Sequence, residues 1–529
     1  MTKYIVVTGG VLSGLGKGLA AASIGKLLSH SCTIVPVKCD GYLNVDPGTM
    51  NPYEHGEVYV LDDGSEVDMD FGHYERYLGI TCKGEWNLTM GRVFEKIRTA
   101  ERRGDYLGKT VEMIPDVVNT ITKWWHDIAT KERADIMLLE IGGTVGDMEN
   151  ELFLESVRRL KNEVGKRNFF HVHVTYVPVL FGSGEIKSKP TQHSTVLLRE
   201  RGLIPNMIIG RCAKPLPQEI KRKIAEECDI SPRLVHTGLD TKNLFEIPLL
   251  YRDEHIGTQI ASALSLKTAN DLNAYETFIR KMETAPHEIS VAICGKYTGL
   301  DDSYASVVNA LKLSCAQRDT RCTISFIETT DLDTSDVHIS KVLAGKDGII
   351  VPGGWGSRGV EGKIKVIQYC RENNIPYLGL CYGLQLAVIE FARNVCNIRN
   401  ANSTEIDPKT KHPVIYILPE KKQLTDMGGT LRLGAHPAIL APRSIVRKLY
   451  GGKKQVSERH RHRYEVNPEY IPVLEKNGFV CSGISPKRKL VEFIEIPKHP
   501  FFVATQAHAE FKNPSPLFLG LVDACLHNT

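Results

Sequence analysis

The sequence predicts two tandem α/β domains, and the first is expected to contain a mostly parallel sheet. Short apolar runs bounded by Gly or Pro alternate with helical patterns through the first half, which is typical of parallel strands joined by helices. A glycine-rich turn directly follows the first run, and a second series of apolar runs starts near residue 286 after a helical stretch. These observations favour two successive domains of the same class.

Composition limits the possible functions of the chain. Of its 529 residues, 42% are hydrophobic and 24% are charged, as in soluble globular proteins with full cores. At about 100 to 200 residues per domain, this length predicts two to four domains. The formal net charge is only +4, which argues against nucleic acid as a partner.

Cysteine usage and hydropathy predict a cytoplasmic protein. The 13 cysteines run from Cys32 to Cys525 without a CxxC pair, so neither a disulfide framework nor a zinc ribbon is expected. Such usage fits a reducing compartment. No apolar run approaches the roughly 18 residues needed to span a bilayer, and no signal peptide is evident, so no membrane partner is expected.

The predicted strands fall into two series. Those of the first half lie in YIVVTGG at 4–10, TIVPVKCD at 33–40, IMLLEIGG at 136–143 and FFHVHVTYVPV at 169–179. Those of the second half lie in ISVAICGKY, TISFIE, GIIVPGGWG, IPYLGLCYG and PVIYIL. Between the two series, Leu272, Tyr275, Ile279 and Met282 recur at helical spacing before Pro286. We therefore predict a first domain at 1–267, a helical linker at 268–285 and a second domain at 286–529.

The segment YIVVTGGVLSGLGKGLAAASIGKLL predicts a phosphate-binding turn between a strand and an Ala-rich helix. Glycines let backbone amides approach an anion, and the helix N-terminus adds its dipole. Gly10 to Lys17 fits the GxxxxGK pattern of a Walker A loop, but Gly18 stands where a Ser or Thr would hold magnesium. Other residues must then hold the metal. An ordinary tight turn is the alternative interpretation.

Acidic residues near predicted strand ends are candidate magnesium ligands. Glu140 closes a strong apolar run, and Asp68 and Asp70 lie two residues apart, so on a strand they would share one face. Magnesium prefers few carboxylates together with phosphate oxygens and water. A solvated loop is the alternative for the acidic pair. The run KSKPTQ at 187–192 suits a triphosphate, although polar surface loops also have this composition.

The turn GLCYG places Cys381 between a predicted strand and an apolar helix, whose dipole favours the thiolate. His508 and Glu510 are expected on one strand, two residues apart, so that the acid orients the imidazole and the imidazole takes the thiol proton. The upstream PGG turn offers backbone amides for an oxyanion hole. A buried structural thiol is the alternative for Cys381 alone, and the ordered combination favours a nucleophile.

The segment RHRHRYEVN is a further polar pattern. Strand alternation sends His460 and His462 to one face, and Arg459, Arg461 and Arg463 to the other. No cysteine or carboxylate cluster lies nearby in the sequence, so we interpret it as the site of a carboxylate-binding arginine and not as a metal or nucleic-acid site.

Eleven strings lie in order along the chain, namely GGVLSGLGKG, KCDGYLNVDPGTMNPYEHGEV, DMDFGHYERY, EIGGTVGDME, KSKPTQHS, VPGGWGSRG, GLCYGLQLA, NSTEID, GGTLRLG, RHRHRYEVN and HAEF. In these strings the chain resembles the CTP synthase family over essentially its whole length. The resemblance implies a P-loop-like parallel-sheet synthase domain, the amidoligase, followed by a class I glutaminase domain.

The resemblance also implies a reaction. ATP phosphorylates oxygen 4 of the uracil of UTP, ammonia attacks carbon 4, and phosphate leaves, which yields CTP. The ammonia comes from glutamine through a thioester on Cys381, with acid–base catalysis by His508 and orientation by Glu510. Further implications are Mg²⁺ as the cofactor, GTP as activator, CTP as feedback inhibitor and a homotetramer with possible filaments.

The family's functional residues fall on matching positions of this sequence. The implied ATP-binding residues are Gly14, Leu15, Gly16, Lys17, Gly18, Leu19, Lys38, Asp70, Leu239, Asp240 and Thr241, and the implied magnesium ligands are Asp70 and Glu140. The implied UTP- and CTP-binding residues are Ser13, Asp147, Met148, Glu149, Lys187, Ser188, Lys189, Pro190, Thr191, Gln192 and Lys223. The implied glutamine-binding residues are Gly354, Tyr382, Gly383, Leu384, Gln385, Glu405 and Arg463, of which Gly354 and the Tyr382 backbone match the oxyanion hole. Pro52, His55 and Val58 match a constriction of an ammonia channel, and Arg432 lies in a segment that resembles a mobile lid linked to GTP.

Two departures from the family pattern stand out. The usual HPEF is HAEF here, which leaves His508 and Glu510 in place, and the chain stops at Thr529 without a long tail for regulatory phosphorylation. The runner-up enzyme is another P-loop synthetase fused to a triad glutaminase, of the cobyrinic-acid amidase type, which is not expected to carry DPGTMNPYEHGEV or KSKPTQ. A filament-forming or regulatory pseudoenzyme is also considered, but the retained Cys381, His508 and Glu510 argue against it.

Overall fold

The computed structural model describes residues 1–51, 55–267, 271–299, 301–334, 338–418 and 431–528. The chain divides into two compact units. The first comprises Met1–Asp46 and Asp70–Glu276, and the second comprises Pro47–Met69 and Thr277–Thr529. The sequence-based boundaries differ from this division, because they assign residues 47–69 to the first domain.

Long-range hydrogen bonds explain why residues 47–69 belong to the second unit. The Tyr59 hydroxyl donates to the Phe511 carbonyl at 2.8 Å, and the Arg461 guanidinium donates to the Glu66 carboxylate at 2.7 Å. These partners lie about 400 residues apart along the chain, with separations of 452 and 395. No local sequence pattern predicts such pairs.

The helices and strands are numbered here in chain order. The helices among the described residues are α1 Lys17–Leu28, α2 Asp70–Leu78, α3 Met90–Arg103, α4 Val118–Lys131, α5 Glu151–Val164, α6 Lys189–Glu200, α7 Gln218–Cys228, α8 Ile247–Asp253, α9 Ile256–Leu264, α10 Asn273–Thr284, α11 Ala305–Gln317, α12 Ile339–Val342, α13 Val360–Glu372, α14 Tyr382–Asn394, α15 Ile445–Leu449, α16 Ile471–Lys476 and α17 Pro516–Asn528. The strands are β1 Lys3–Gly9, β2 Ile34–Asp40, β3 Tyr59–Val60, β4 Glu66–Val67, β5 Asn87–Thr89, β6 Ile136–Ile141, β7 Phe169–Tyr176, β8 Met207–Cys212, β9 Val235–Leu239, β10 His287–Gly295, β11 Thr320–Glu328, β12 Gly348–Val351, β13 Tyr377–Leu380, β14 Ala401–Ser403, β15 His412–Ile417, β16 Arg432–Leu440, β17 Gln455–His462, β18 Tyr464–Val466, β19 Val480–Ile484, β20 Val491–Glu495 and β21 Phe502–Thr505.

The first unit is built on a parallel sheet, as predicted. Its described strands run in the order β5-β2-β6-β1-β7-β8-β9, and every neighbouring pair is parallel. Strands of such a sheet are covered on both faces and therefore read as continuous apolar runs. All six residues of β6 are buried, and so are all seven of β2.

The second unit contains a mixed sheet with the order β11-β10-β12-β13-β21-β20-β19-β16-β17 among the described strands. The pairs from β11 to β21 are parallel, and those from β21 to β17 are antiparallel. The predicted α/β class is therefore confirmed for this half as well. A small sheet with the order β14-β15-β18 and the β3-β4 pair complete its described strands.

The predicted linker contains a helix. Helix α10 spans Asn273–Thr284, and Ile279 on its apolar side is 1% exposed. Residues 268–270 of the predicted linker lie outside the described residues. Among the residues that the structure describes, no helix is both long and apolar enough to cross a membrane.

We predict that the core position Ile5 contributes strongly to the stability of the first unit. Ile5 is 0% exposed in β1 and pairs with Leu138 and Phe170 on the flanking strands. Ile5→Ala is expected to lower the free energy of unfolding by about 2 to 5 kcal/mol, because it leaves a cavity in a close-packed core. Urea denaturation followed by circular dichroism measures the loss. The matched change Ile204→Ala removes the same atoms at a position that is 43% exposed, and should cost less than about 1 kcal/mol. Equal losses in the two variants would contradict the prediction.

Candidate active sites

The glycine-rich turn between β1 and α1 forms in the first unit. Gly14 and Gly16 have φ angles of 73° and 78°, which L side chains rarely adopt. Helix α1 begins at Lys17, whose Nζ donates to the Gly143 carbonyl at 2.8 Å. Burial lowers the pKa of Lys17. The turn thus presents backbone amides, a helix N-terminus and a lysine on one side of the sheet, as an anion-binding site requires.

Asp70 explains why Gly18 replaces the Ser or Thr of a Walker A loop. A Cβ atom at position 18 would lie only 1.9 Å from Asp70 Oδ1. The Asp70 carboxylate therefore occupies the space that a larger side chain would need. The expectation that Asp68 and Asp70 share one face of a strand is wrong, because β4 ends at Val67 and Asp70 is the first residue of α2.

Lys38 lies among three carboxylates, of which those of Asp40 and Glu140 are buried. Its Nζ donates to Asp70 and, at 3.3 Å, to Glu140 Oε1, and it lies 3.9 Å from Asp40 Oδ1. Tyr74 donates its hydroxyl to Glu140. Burial raises the pKa of Asp40 to about 6 and also raises that of Glu140. Burial opposes ionisation of Asp70 as well, but the Lys38 charge holds its pKa below the usual value.

A cavity adjoins the glycine-rich turn. Its lining includes six of the expected ATP-binding residues, namely Leu15, Gly16, Leu19, Leu239, Asp240 and Thr241. Leu244 and Tyr251 add apolar surface, which suits a flat base. Arg211 donates to Asp240 Oδ1 at 2.7 Å and to the Gly14 carbonyl at 3.4 Å. Sequence reasoning missed Arg211 and Tyr251, because neither belongs to a motif.

The expected UTP- and CTP-binding residues do not gather in this cavity. Those that are exposed are Ser13, Asp147, Met148, Glu149, Lys189 and Lys223. Lys187 pairs with Glu185, and Pro190 is half-buried at the start of α6. Ser188, Thr191 and Gln192 are buried, and Gln192 Nε2 donates to Ser188 Oγ at 3.1 Å. This bond links the first turn of α6 to the residue that precedes the helix.

Cys381 occupies a sharp turn between β13 and α14 in the second unit. Its φ and ψ angles are 50° and −97°, a sparsely populated conformation for a residue with a side chain. Its N–H donates to the Thr505 carbonyl at 2.8 Å, which secures the turn to β21. The sulfur lies 3.8 Å from the Arg461 carbonyl and 3.8 Å from Gln506 Nε2. Gln506 was not found from the sequence, although it stands two residues before His508.

His508 and Glu510 form a hydrogen-bonded pair, with 2.6 Å between His508 Nδ1 and Glu510 Oε1. The expectation that both lie on one strand is wrong, because β21 ends at Thr505 and Glu510 lies in a short 3-10 helix at Ala509–Phe511. Burial alone would lower the pKa of His508, but the charges of Glu510 and Cys381 raise it well above its usual value. Gly353 packs against the ring, since a Cβ there would lie 2.9 Å from His508 Cε1.

The expected glutamine-binding residues surround the start of α14. Gln385 Nε2 donates to the Tyr464 carbonyl at 3.1 Å, whereas its Oε1 is buried without a hydrogen-bond partner among the described residues. Glu405 accepts from the Gly356 amide at 2.7 Å. Burial raises the pKa of Glu405, although the Gly356 hydrogen bond and the charges of Lys296 and Arg463 oppose this shift. Gly383 and Leu384 directly precede Gln385 on the same helix and are buried.

A cavity opens beside the thiol. Its lining includes Cys381, His508, Glu510 and Gly354, together with Val58 of the expected ammonia channel. His55 is exposed, and Pro52 lies outside the described residues. Arg461, Trp355 and Tyr297 also line this cavity and were not predicted as site residues.

The RHRHR segment has the predicted alternation. His460 and His462 hydrogen-bond to each other at 3.0 Å, while Arg461 binds the Glu66 carboxylate. Arg432 begins β16, where it pairs with Glu492 at 2.5 Å. Residues 428–430 of the expected lid lie outside the described residues. No group of three or more His, Cys, Asp or Glu side chains in the described ranges has a metal-binding arrangement.

Comparisons with known proteins show the family of the chain. Residues 3–266 match the family described as CTP synthase N-terminus, and residues 300–519 match Glutamine amidotransferase class-I. The CTP synthase of Archaeoglobus fulgidus is 49% identical over 99% of this chain and 98% of its own length. The CTP synthase of Borreliella afzelii is 48% identical over 99% of each. A solved structure, the Trypanosoma brucei CTPS glutaminase domain with bound acivicin, is 36% identical over 45% of this chain and 94% of its own, with a TM-score of 0.43. The chain belongs to the CTP synthase family.

Proposed function

We propose that the two sites divide the family reaction, with glutamine hydrolysis at Cys381 and phosphorylation and amination of UTP beside Lys17 and Lys38. The chain is a ligase with glutamine as amido donor, in keeping with its family. The observation that carries the assignment is the presence of two chemically different sites. A thiol, an imidazole and a carboxylate meet in one unit, and a phosphate-binding turn lies beside buried carboxylates and lysines in the other.

At the glutaminase site, the Cys381 thiolate attacks the amide carbon of glutamine. The carbonyl electrons move onto oxygen, where the backbone amides near Gly354 and Tyr382 stabilise the charge. His508, oriented by Glu510, protonates the departing ammonia and then activates water for hydrolysis of the thioester. Gln385 Oε1 and Glu405 are available to accept hydrogen bonds from the glutamine ammonium group, and Arg463 suits its carboxylate.

At the synthase site, the glycine-rich turn and Lys17 hold the ATP phosphates, and Lys38 stabilises charge on the transferred phosphoryl group. Asp70 and Glu140 fit Mg²⁺ because both are oxygen donors, and the neighbouring Asp40 Oδ2 is buried without a hydrogen-bond partner among the described residues. The ion would neutralise phosphate charge and complete its coordination with phosphate oxygens and water. Leu239, Asp240 and Thr241 line the cavity that suits the adenine.

The remaining assignments concern regulation and assembly. GTP acts as activator through the segment of Arg432, and CTP acts as feedback inhibitor near Asp147, Met148 and Glu149. Ammonia passes Pro52, His55 and Val58, which is supported by Val58 in the wall of the thiol cavity. A homotetramer is proposed from the family resemblance alone. The cysteines among the described residues are all free, which supports a reducing cytoplasm.

The direct test is a CTP assay with purified chain, UTP, ATP, Mg²⁺ and either glutamine or ammonium chloride. CTP is expected with both nitrogen sources. Omission of ATP or Mg²⁺ should abolish its formation. Absence of CTP with both nitrogen sources, from a chain shown to be folded, would overturn the proposal.

Cys381→Ala is expected to separate the two activities. Glutamine-dependent CTP formation should fall below about one thousandth of the wild-type rate, because the nucleophile is removed. Ammonia-dependent formation should stay within about twofold, since the synthase site is chemically separate. Loss of both activities in a folded variant, or of neither, would show that Cys381 has another role.

Gly18→Ala should disable the synthase site by displacing Asp70. The new Cβ cannot lie 1.9 Å from Asp70 Oδ1, so the carboxylate must move, and a displacement of about 1 Å can cost a hundredfold in rate. Ammonia-dependent CTP formation should fall by that order, while glutamine hydrolysis continues.

Asp70→Asn serves as the companion variant. Asp70→Asn should also lose ammonia-dependent CTP formation. The double variant should be no less active than the more impaired single variant, because both changes act on one carboxylate. Additive losses in the double variant would show that Gly18 acts independently of Asp70.

A further inference from the structure

Lys363 is a fully buried lysine whose amine has no hydrogen-bond partner among the described residues. It lies in the first turn of α13, and its side chain is 0% exposed. Among the described residues, no group accepts a hydrogen bond from its Nζ. A buried ammonium without a partner is unfavourable, and native proteins rarely retain one without a structural or functional reason.

The amine of Lys363 faces the turn that carries Gly354. A Cβ atom at Gly354 would lie 3.5 Å from Lys363 Nζ and 3.7 Å from the ring of Tyr382. The Nζ itself lies 5.3 Å from the centroid of that ring. Tyr382 directly follows Cys381, and its hydroxyl donates to the Gly356 carbonyl at 2.7 Å. Lys363 thus lies next to both segments assigned to the oxyanion hole.

Other charged groups bind the later part of the same turn. Lys296 Nζ donates to the Trp355 carbonyl, and the Gly356 amide donates to Glu405. The Lys296 side chain also adjoins Gly354, since a Cβ atom there would lie 3.8 Å from Lys296 Cε, but its Nζ is bonded to the Trp355 carbonyl. Lys363 lies beside the earlier part of the turn, at Gly354. The negative charge that develops on the oxygen of a bound amide would lie near this part.

The surroundings of Lys363 lower the pKa of its amine. Burial, followed by the charge of Lys296, lowers its pKa to about 7. Arg358 also lowers the pKa, while Cys294 and Glu328 raise it. The amine is therefore charged in acid and loses its proton as the pH rises through neutrality.

We propose that Lys363, in its ammonium form, is a positioning residue of the oxyanion turn during glutamine hydrolysis. It supplies positive charge beneath Gly354 and Tyr382 while the Cys381 sulfur bonds to the amide carbon and the carbonyl electron pair moves onto oxygen. The proton of Lys363 is not transferred in this step. The inference rests on the proposed glutaminase activity and adds a group that acts through the backbone donors.

The test is Lys363→Met, which keeps the length of the side chain and removes its charge. Glutamate release by the full chain is measured from pH 6 to pH 9 at varied glutamine concentration. At pH 6, kcat should fall by about ten- to a hundredfold, with KM within about threefold, because the charge acts on the transition state. The ratio of the wild-type kcat to the kcat of Lys363→Met should fall towards one as the pH rises, since wild-type Lys363 then also loses its charge.

Lys365→Met is the matched control on the same helix. Lys365 Nζ donates to the Leu332 and Thr334 carbonyls at 2.9 Å and 2.7 Å, so it is a lysine with a structural role. Its loss should leave the pH dependence of glutamate release unchanged. A wild-type advantage over Lys363→Met that is constant with pH, or a kcat unchanged within twofold, would show that Lys363 has only a packing role.

A second variant covers the case in which Lys363→Met does not fold. Lys363→Arg keeps its charge throughout this pH range, so its rate should lack the alkaline decline that wild type owes to Lys363. An alkaline decline identical to that of wild type would overturn the inference. Ammonia-dependent CTP formation by the wild type is scored separately. Its absence would reject the proposed synthase function and leave the glutamate-release test of Lys363 intact.

Discussion

Parallel strands end together at one edge of a sheet, and both sites depend on this constraint. In the first unit, Asp40 closes β2 and Glu140 lies near the end of β6, beside the turn that follows β1. In the second unit, Cys381 follows β13, and the Gly353 turn follows β12 on the neighbouring strand. Residues that are distant in sequence therefore meet at one edge. Asp40, Glu140 and Cys381 are buried there. Burial strengthens the attraction between opposite charges and raises the free-energy cost of an unpaired charge.

Pairing of buried charges follows from this low-dielectric setting. Lys38 binds Asp70 and Glu140, and His508 binds Glu510. One hydrogen-bond acceptor near each site lacks a partner: Asp40 Oδ2 and Gln385 Oε1 are buried without hydrogen-bond partners among the described residues. A substrate or ion that bonds to such an atom gains the most binding free energy, because folding has already removed water from that atom. Lys363 is the corresponding case of a buried cation without a hydrogen-bond partner among the described residues.

Close approach is the second constraint, and it explains two glycines that a motif alone does not. Gly18 makes room for Asp70, and Gly353 makes room for the His508 ring. In both cases a functional side chain packs directly on the backbone. A substitution there would move the functional group and leave the rest of the fold in place, so its cost should appear in the rate more than in the stability.

Local pattern was enough to predict much of this protein. The apolar runs predicted the strands β1, β2, β6 and β7, and the glycine-rich and GLCYG turns identified Lys17 and Cys381, because strand burial and tight turns impose residue types over a few positions. Local pattern failed for Asp70 and Glu510, since a spacing of two residues is compatible with helical turns as well as strands.

The sequence by itself determined the fold class, the family and the main reactive groups. Only the tertiary structure showed that residues 47–69 belong with the second unit, that Asp70 takes the space beside Gly18, and that Gln506, Arg211 and Lys363 adjoin the sites. These features depend on contacts between residues far apart in the chain. No periodicity or spacing encodes such contacts, because they arise only when the packed sheets bring the segments together.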